Sequence, residues 1–278
     1  MLRLKTVNKI KISSILSKIL VFIYGNKKRK ISRNNIFYEI DFNEGIDLSV
    51  FLNIKNDRKI FNIKKIINKD EKLNIVDIGA NIGSLSLPLL KFFKNSNVLS
   101  IEPTIFAFKK LKKNVNLNPD LKKRSYLINY FISHKKKKVN SVYSSWNYSQ
   151  NSNKHKVHLG SLKKSSKKII SLDKLIQRIN KKISFIKIDV DGHELEVLKS
   201  GTKVIKKDLP IIYIEFAPYL HKEFGYSTIK LIEFIENKIG YKIYNEDLKK
   251  MRNIRKYVKK IINSSENFFL IPKKIKIN

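Results

Sequence analysis

From residue 73 onward, apolar runs of strand length alternate with stretches of helical periodicity. "NIVDIG" (74–79) is a short apolar run stopped by glycine, and it predicts a strand. "SLSLPLLKFFKN" predicts the helix that follows, with Pro88 in its first turns. "NVLSIEP" (97–103) predicts a second strand, ended by Pro103. "AFKKLKKNVNLN" sets Phe108, Leu111 and Val115 on one side of a helix. "SYLINYFIS" (125–133), "ISFIKIDV" (183–190) and "PIIYIEF" (210–216) predict three further strands, and "HELEVLKSG" and "STIKLIEFIENKIG" predict helices. "YKIY" (241–244) and "NFFLIP" (267–272) lie close together without a long helical pattern after each, as an antiparallel edge pair would. Strands alternating with helices predict an α/β fold whose mostly parallel sheet is covered on both faces.

Two stretches stand outside this rhythm. Residues 134–170 begin with "HKKKK" and continue rich in Ser and Asn, yet hold Tyr143, Trp146 and Tyr148 with His155 and His158. That composition predicts an inserted hairpin, whose aromatics either brace it or stack on a sugar ring. Residues 1–70 read as a basic, partly helical extension ahead of a main domain at 71–278. Within the extension, Ile15, Leu16, Ile19, Leu20 and Ile23 share one helical face, with Lys9, Lys11 and Lys18 nearby. Lys18 interrupts the apolar run and no small-residue cleavage site follows, so a signal peptide is not expected. The run Ile19–Tyr24 is too short to span a bilayer. Such a helix either packs on the domain or lies on a membrane surface.

Composition changes the picture less than its charge suggests. The net charge of +36 points at first to nucleic acid or an anionic membrane. Nearly all of it is Lys, however, in a chain also crowded with Ile and Asn, three residue types that share A/T-rich codons. Genome base composition therefore accounts for it, and no specific nucleic-acid partner is expected. The field still favours acidic acceptors or anionic lipid, whatever its origin. The chain has no Cys, which excludes disulfides and thiolate metal sites and fits a reducing, cytoplasmic setting.

The first chemical motif is "VDIGANIGSLS" (76–86), between a predicted strand and helix. Gly79 and Gly83 bracket a tight turn around Ala80 and Asn81, where a ligand can approach the backbone. Nineteen residues after Gly83 stands Glu102, just before Pro103, placed to accept hydrogen bonds from ribose hydroxyls. The spacing is not that of the dinucleotide fingerprint, and Asp77 precedes the glycines. Asp77 would repel a pyrophosphate and attract an ammonium. S-adenosylmethionine carries an ammonium, a sulfonium and a ribose but no phosphate, so it is the expected cofactor.

The second motif is "FIKIDVDGHELEVL" (185–198). Strand alternation points Lys187, Asp189 and Asp191 one way and Ile186, Ile188 and Val190 the other. Lys187 is expected to neutralise Asp189 and Glu215 across two strands. Asp191, Gly192, His193 and Glu194 fall beyond the strand end, where open α/β sheets bind ligands. Glu194 also starts a helix, where an acid offsets the macrodipole.

"VDIGANIGSLS", "IEP", "SLDKLI" and "FIKIDVDGHELEVLKSG", in that order, resemble the FkbM family of S-adenosylmethionine-dependent methyltransferases. The resemblance covers roughly residues 70–272. It implies a class I Rossmann-like fold with a seven-stranded sheet and methylation of hydroxyl oxygens, often on sugars or polyketides. The family commonly has Glu where this chain has Asp191, and Ala or His at the position of His193. A small-molecule or glycan acceptor follows, with polysaccharide modification as the expected role.

Methyl transfer to a hydroxyl needs in-line alignment and a group that takes the proton. Asp189, Asp191 and His193 are expected on the acceptor side, with Asp191 or His193 as base and Lys187 supporting Asp189. Asp189, Asp191 and Glu194 could offer oxygen ligands to Mg²⁺, but their spacing is not diagnostic and no metal is expected. Two other readings are an RNA methyltransferase and a non-catalytic binding protein on the same fold. No RNA-binding module signature supports the first, and the intact Asp77, Gly79, Gly83 and Glu102 oppose the second.

Overall fold

The structure, a computed structural model, describes residues 6–53, 56–67, 71–135, 140–146, 160–166 and 168–275. Tyr148, His155 and His158 lie outside them. The chain opens with α1 (Thr6–Tyr24), β1 (Lys28–Arg33), β2 (Ile36–Asp41), α2 (Gly45–Phe51) and α3 (Asn56–Ile66). Then come β3 (Asn74–Ile78), α4 (Ser86–Phe92), β4 (Asn97–Ile101), α5 (Ile105–Asn116), α6 (Pro119–Lys122) and β5 (Ser125–Ile128). The middle holds β6 (Phe131–Ile132), β7 (Ser141–Trp146), β8 (Gly160–Lys164), β9 (Ile169–Ile170) and α7 (Leu172–Ile179). Next are β10 (Phe185–Ile188), α8 (Glu194–Ser200), α9 (Thr202–Asp208), β11 (Ile211–Phe216) and α10 (Pro218–Glu223). Last are α11 (Thr228–Glu233), running on as a π-helical turn to Ile239, then β12 (Tyr241–Asn245), α12 (Ile254–Val258) and β13 (Glu266–Pro272).

The main sheet has seven strands in the order β12-β13-β11-β10-β3-β4-β5. Only β13 is reversed, pairing antiparallel with both β11 and β12. This is the class I Rossmann-like arrangement. The chain builds outward from β3 in one direction through β4 and β5, then returns to β3's other side with β10. Ligands of open α/β sheets bind at such a reversal, beyond the C-terminal strand ends. The predicted strand 125–133 is in fact two pieces. Asn129 turns out of the ladder, and its side-chain amide donates to the Glu102 and Pro103 carbonyls (2.7 and 3.0 Å). β6 beyond it pairs with β9 instead.

Strand alternation sorts the core into two layers. Val76, Ile78, Ile186, Ile188, Ile212 and Ile214 pack under α7, α8 and α11. Ile75, Phe185, Tyr213 and Phe269 face the opposite layer, together with Ile36, Tyr38 and Ile40 of β2 and Ile60 and Ile63 of α3. Residues 36–67 therefore complete the covering of one sheet face. β2 is fastened through α5. Asn114 Oδ1 accepts from the Glu39 backbone amide (2.8 Å), and the Asn118 side chain bonds both the amide and the carbonyl of Phe37 (2.9 and 2.8 Å). These side chains satisfy a strand edge that would otherwise lack partners. Asn114 also donates to the Ile82 carbonyl (2.9 Å), in the turn after β3. Lys110 of α5 pairs with the buried Asp47 of α2. Among the described side chains of α1, Ile10, Ser17 and Leu20 are buried, while Ile15, Ile19 and Ile23 point to solvent. The face grouped by sequence periodicity is thus split, because only one side of the helix meets the protein.

Candidate active site

One cavity of about 1130 Å³ lies at the C-terminal ends of β3, β4, β10 and β11. Asp77, Gly79, Ala80, Asn81, Glu102 and Pro103 line one part of it, and Lys187, Asp189, Asp191 and His193 another. Gly83 is not on its wall. It closes the turn by donating to the Ala80 carbonyl (2.9 Å) and sits against Leu87 and Leu111. Ile12 and Ser13 of α1, Ile46, Leu48 and Ser49 of α2, and Leu52 also line the cavity, which sequence reasoning did not foresee. Tyr143 of the inserted hairpin does as well.

The turn after β3 is held from both sides. The Gly79 and Ala80 amides donate to the Ile101 carbonyl (2.9 and 3.0 Å). Gly79 has φ +78°, and a Cβ there would lie 1.9 Å from the Asp189 carbonyl oxygen. Only glycine lets the ends of β3 and β10 approach so closely. Asn81 is left-handed (φ 49°), a conformation Asn tolerates. Its amide donates to Glu102 Oε2 (2.8 Å), while the Thr104 amide and hydroxyl donate to Oε1 (2.8 and 2.6 Å). Burial pushes Glu102 above the usual carboxylate range, against those hydrogen bonds. One lone pair on Oε2 remains for a ligand hydroxyl.

Lys187 is where the structure departs most from the sequence reading. Its neighbours in register are Asp77 on β3 and Tyr213 on β11, not Glu215. Lys187 Nζ lies 3.2 Å from Asp77 Oδ1 and 3.8 Å from Asp189 Oδ2. It donates to the carbonyls of Gly79 (2.5 Å) and Ile78 (3.3 Å). Burial disfavours its charge, but Asp77 and Asp189 outweigh that and raise its pKa. Lys187 thus braces the cofactor turn from beneath, and Asp77 is its counter-ion. The second oxygen of Asp77 accepts from the Ser86 hydroxyl (2.5 Å), which in turn accepts from Ser100 (2.8 Å). The charge expected to meet an ammonium is already matched.

Glu215, freed from Lys187, joins a carboxylate cluster. One oxygen each of Asp189, Asp191 and Glu215 lies within 4.8 Å of the others. Burial pushes Asp191 well above the usual carboxylate range, and Asp189 and Glu194 push it further. Glu215 is raised by burial, then by Asp189 and Asp191. Like charges this close do not all ionise, so the cluster keeps a proton to higher pH than free carboxylates would. The same oxygens could hold a divalent cation.

Glu194 is not part of that cluster, contrary to the ligand set proposed from sequence. It is fully buried and points the other way. Its Oε1 accepts from the Val190 and Gly192 amides (3.2 Å each), and its Oε2 lies 3.1 Å from Nε2 of buried His221. His221 is held in turn by the Thr228 hydroxyl (2.9 Å). Burial alone would raise the Glu194 pKa, but the bonds and charge from His221 and the loop amides lower it overall. Glu194 therefore ties the Val190–Gly192 turn to α10 and α11. Gly192 has φ +97°, and a Cβ there would meet the Phe224 ring at 2.5 Å. Asp191 is itself left-handed (φ 48°) and so is aimed into the cavity by this turn. The ring of His193 packs between Phe131 and Phe224, with centroids at 5.0 and 4.0 Å. Burial lowers its pKa, which keeps the imidazole neutral at pH 7. Nothing in the sequence marked His221, Phe224 or Tyr226, whose hydroxyl donates to the Gly192 carbonyl (2.7 Å), because these roles depend on which helices pack behind α8.

The methyltransferase FkbM domain matches residues 77–243 of this chain. The chain belongs to the FkbM methyltransferase family. S-adenosylmethionine is therefore the expected cofactor, and the donor set fits it. The cation beneath the turn is occupied by Asp77 and two carbonyls rather than offered to a phosphate. No curated protein matches the chain. Among solved structures it is similar to methyltransferase FkbM from Methylobacillus flagellatus KT, with 18% identity and a TM-score of 0.45. That match covers 72% of this FkbM-family chain, which spans 43% of the other's length. TYW2 from M. jannaschii in complex with AdoMet is 13% identical, covering 88% and 84% of the two chains with a TM-score of 0.42. TYW2 from P. horikoshii in complex with MeSAdo is 15% identical, covering 93% and 81% with a TM-score of 0.42. No helix among the described residues is long and apolar enough to cross a membrane.

Proposed function

We propose that this protein transfers a methyl group from S-adenosylmethionine to a hydroxyl of a sugar or related polyhydroxylated acceptor. The observation that carries this reading is the Asp189–Asp191–Glu215 cluster in the same cavity as the Gly79–Glu102 turn. When bound, the cofactor supplies an electrophilic methyl on a sulfonium. Glu102 and the Asn81 region hold its ribose, and Asp77, Gly79, Ala80 and Pro103 shape its bed. Gly83 acts from outside the wall by setting the turn.

The carboxylates serve the acceptor. A carboxylate oxygen accepts hydrogen bonds from hydroxyls and repels phosphates, which favours a saccharide over RNA. Asp191 takes the hydroxyl proton as the acceptor oxygen attacks, because burial and Asp189 make it more basic than a free carboxylate. Asp189 orients the acceptor, and Lys187 holds Asp189 and the turn in place. His193, wedged between Phe131 and Phe224, gives the acceptor an aromatic wall and a neutral ring nitrogen. The cavity volume exceeds that of a site for one drug-sized ligand, which leaves room for both reactants.

Incubation with methyl-labelled cofactor and a panel of saccharides tests the reading, with calorimetry of cofactor binding alongside. Label should pass to a saccharide hydroxyl. Glu102→Gln should weaken cofactor binding by about tenfold, the size of one lost charge-assisted hydrogen bond. Absence of cofactor binding by the wild type would overturn the whole reading. A second test concerns the cluster. A shared proton holds the three carboxylates together without a cation, so EDTA should leave turnover unchanged. Loss of turnover that Mg²⁺ restores would instead make the cluster a metal site.

A further inference from the structure

α1 has an apolar side that none of the described residues covers. Phe22 is 89% exposed, Ile23 64%, Ile15 61% and Ile12 54%, with Ile19 also exposed. Their spacing of three, four and seven residues places them on one stripe of the helix. The opposite side buries Ile10, Ser17 and Leu20 against the domain, so the stripe is a second apolar surface and not the packed one turned outward. Exposed Lys11 and Lys18 each precede a stripe residue by four, Ile15 and Phe22, and therefore flank it. Exposed Lys27, Lys28 and Lys30 follow the helix end. The Arg29 guanidinium stacks 3.9 Å over Tyr24 and fixes that basic strand to the helix C-terminus. Ten Lys and Arg precede Glu39, the first acidic residue of the chain.

The stripe also runs to the cavity. Ile12 belongs both to the exposed stripe and to the cavity wall. Leu52, Leu162 and Phe224 line the cavity as well, and each is exposed at its rim. Apolar side chains in water around the mouth of the site call for an apolar surface to cover them.

We propose that α1 seats this protein on an anionic bilayer, lying in the interface with its apolar stripe among the acyl chains. The mouth of the cavity then opens at the lipid surface. A second copy of the chain is a poor occupant, since the facing stripes would bring Lys11, Lys18 and the basic strand against their own kind. An anionic headgroup layer supplies the opposite charge and the apolar depth together. This inference rests on the proposed function only in giving the cavity mouth its meaning, because the docking itself does not require turnover.

The test is co-sedimentation of the full chain with vesicles, with cofactor calorimetry as an independent readout. Vesicles of phosphatidylcholine and phosphatidylglycerol in equal parts should bind the protein, and vesicles of phosphatidylcholine alone should bind it far less. Added NaCl should weaken the binding. The double variant Ile19→Asp/Phe22→Asp should lower the partition by at least about tenfold, since two buried apolar side chains are lost. Lys11→Glu/Lys18→Glu should lower binding to anionic vesicles only. Both variants should bind cofactor as the wild type does, which shows that the domain is folded. Equal binding to both vesicle types, or none to either, would overturn the proposal and leave the methyltransferase reading standing. A dimer in sedimentation velocity that Ile19→Asp/Phe22→Asp dissociates would overturn it too, by giving the stripe to a second copy. Failed cofactor binding with intact vesicle binding would remove the methyltransferase reading alone.

Discussion

The Asp191→Asn variant should lose turnover by about 10²- to 10⁴-fold while binding S-adenosylmethionine as the wild type does. The substitution isolates proton acceptance from everything else the residue does. Asn adopts the left-handed backbone of residue 191 as readily as Asp, so the Val190–Gly192 turn keeps its shape. Its side chain still donates or accepts within the cluster, and only the ability to take up a proton is gone. The pH dependence follows from the direction of the shift. Burial and the neighbouring Asp189 raise the Asp191 pKa, so the reactive ionised form appears at higher pH than for a free carboxylate. Turnover should therefore climb with pH above the usual carboxylate range, and this ascending limb should vanish in the variant. Turnover near that of the wild type would reassign the proton to another group, with the neutral His193 ring next in reach.

The Lys187→Met variant should be destabilised by about 3–5 kcal/mol, the cost of leaving one member of a buried pair alone. In a chain of this size that corresponds to a fall in Tm of roughly 10 °C, read by circular dichroism. Asp77 is wholly buried, and its other oxygen has only the Ser86 hydroxyl. The Gly79 carbonyl would lose its Lys187 donor in the same step, and the Ile78 carbonyl would keep only the Asp189 amide. Met fills the volume of the Lys stem, so the change reports on charge and hydrogen bonding more than on a cavity. Adding Asp77→Leu should recover much of the lost stability without restoring cofactor affinity, because the stranded charge is gone but the brace is not. A Lys187→Met protein with unchanged Tm would mean that the Asp77 contact contributes nothing.

Lys187 also shows where sequence reasoning reaches its limit. Alternation along the strand predicts Lys187, Asp189 and Asp191 on one face, but β10 ends at Ile188 and a left-handed turn, not alternation, aims Asp191. Which charges meet across strands depends on register, and register is set by packing of the whole sheet. β3 puts Asp77 opposite Lys187, while Glu215 falls two positions beyond Tyr213 and joins Asp189 and Asp191. The strand pattern, the glycine turn and the acid after β4 were legible because each is local and each requires a particular residue type. Glu194 was legible as a helix start but not as a buried partner of His221, 27 positions away in the chain. The break at Asn129 escaped notice because an Asn amid Tyr, Leu and Ile does not weaken an apolar pattern. The contribution of α1 and α2 to the cavity was hidden for another reason. No motif marks a wall, and the apolar residues of residues 1–70 carry the same periodicity whether they cover a sheet or meet a lipid.

Asn114 joins regions that the chain pattern keeps apart. Through one amide group it accepts from Glu39 in the N-terminal hairpin and donates to Ile82 in the cofactor turn. The amide acts as a rivet, because neither region can shift against the other without losing a bond to the same side chain. The two stretches therefore share mutational tolerance. A change that moves β2 is felt at the cofactor, and a change that reshapes the turn is felt beneath the helix at the protein's basic surface.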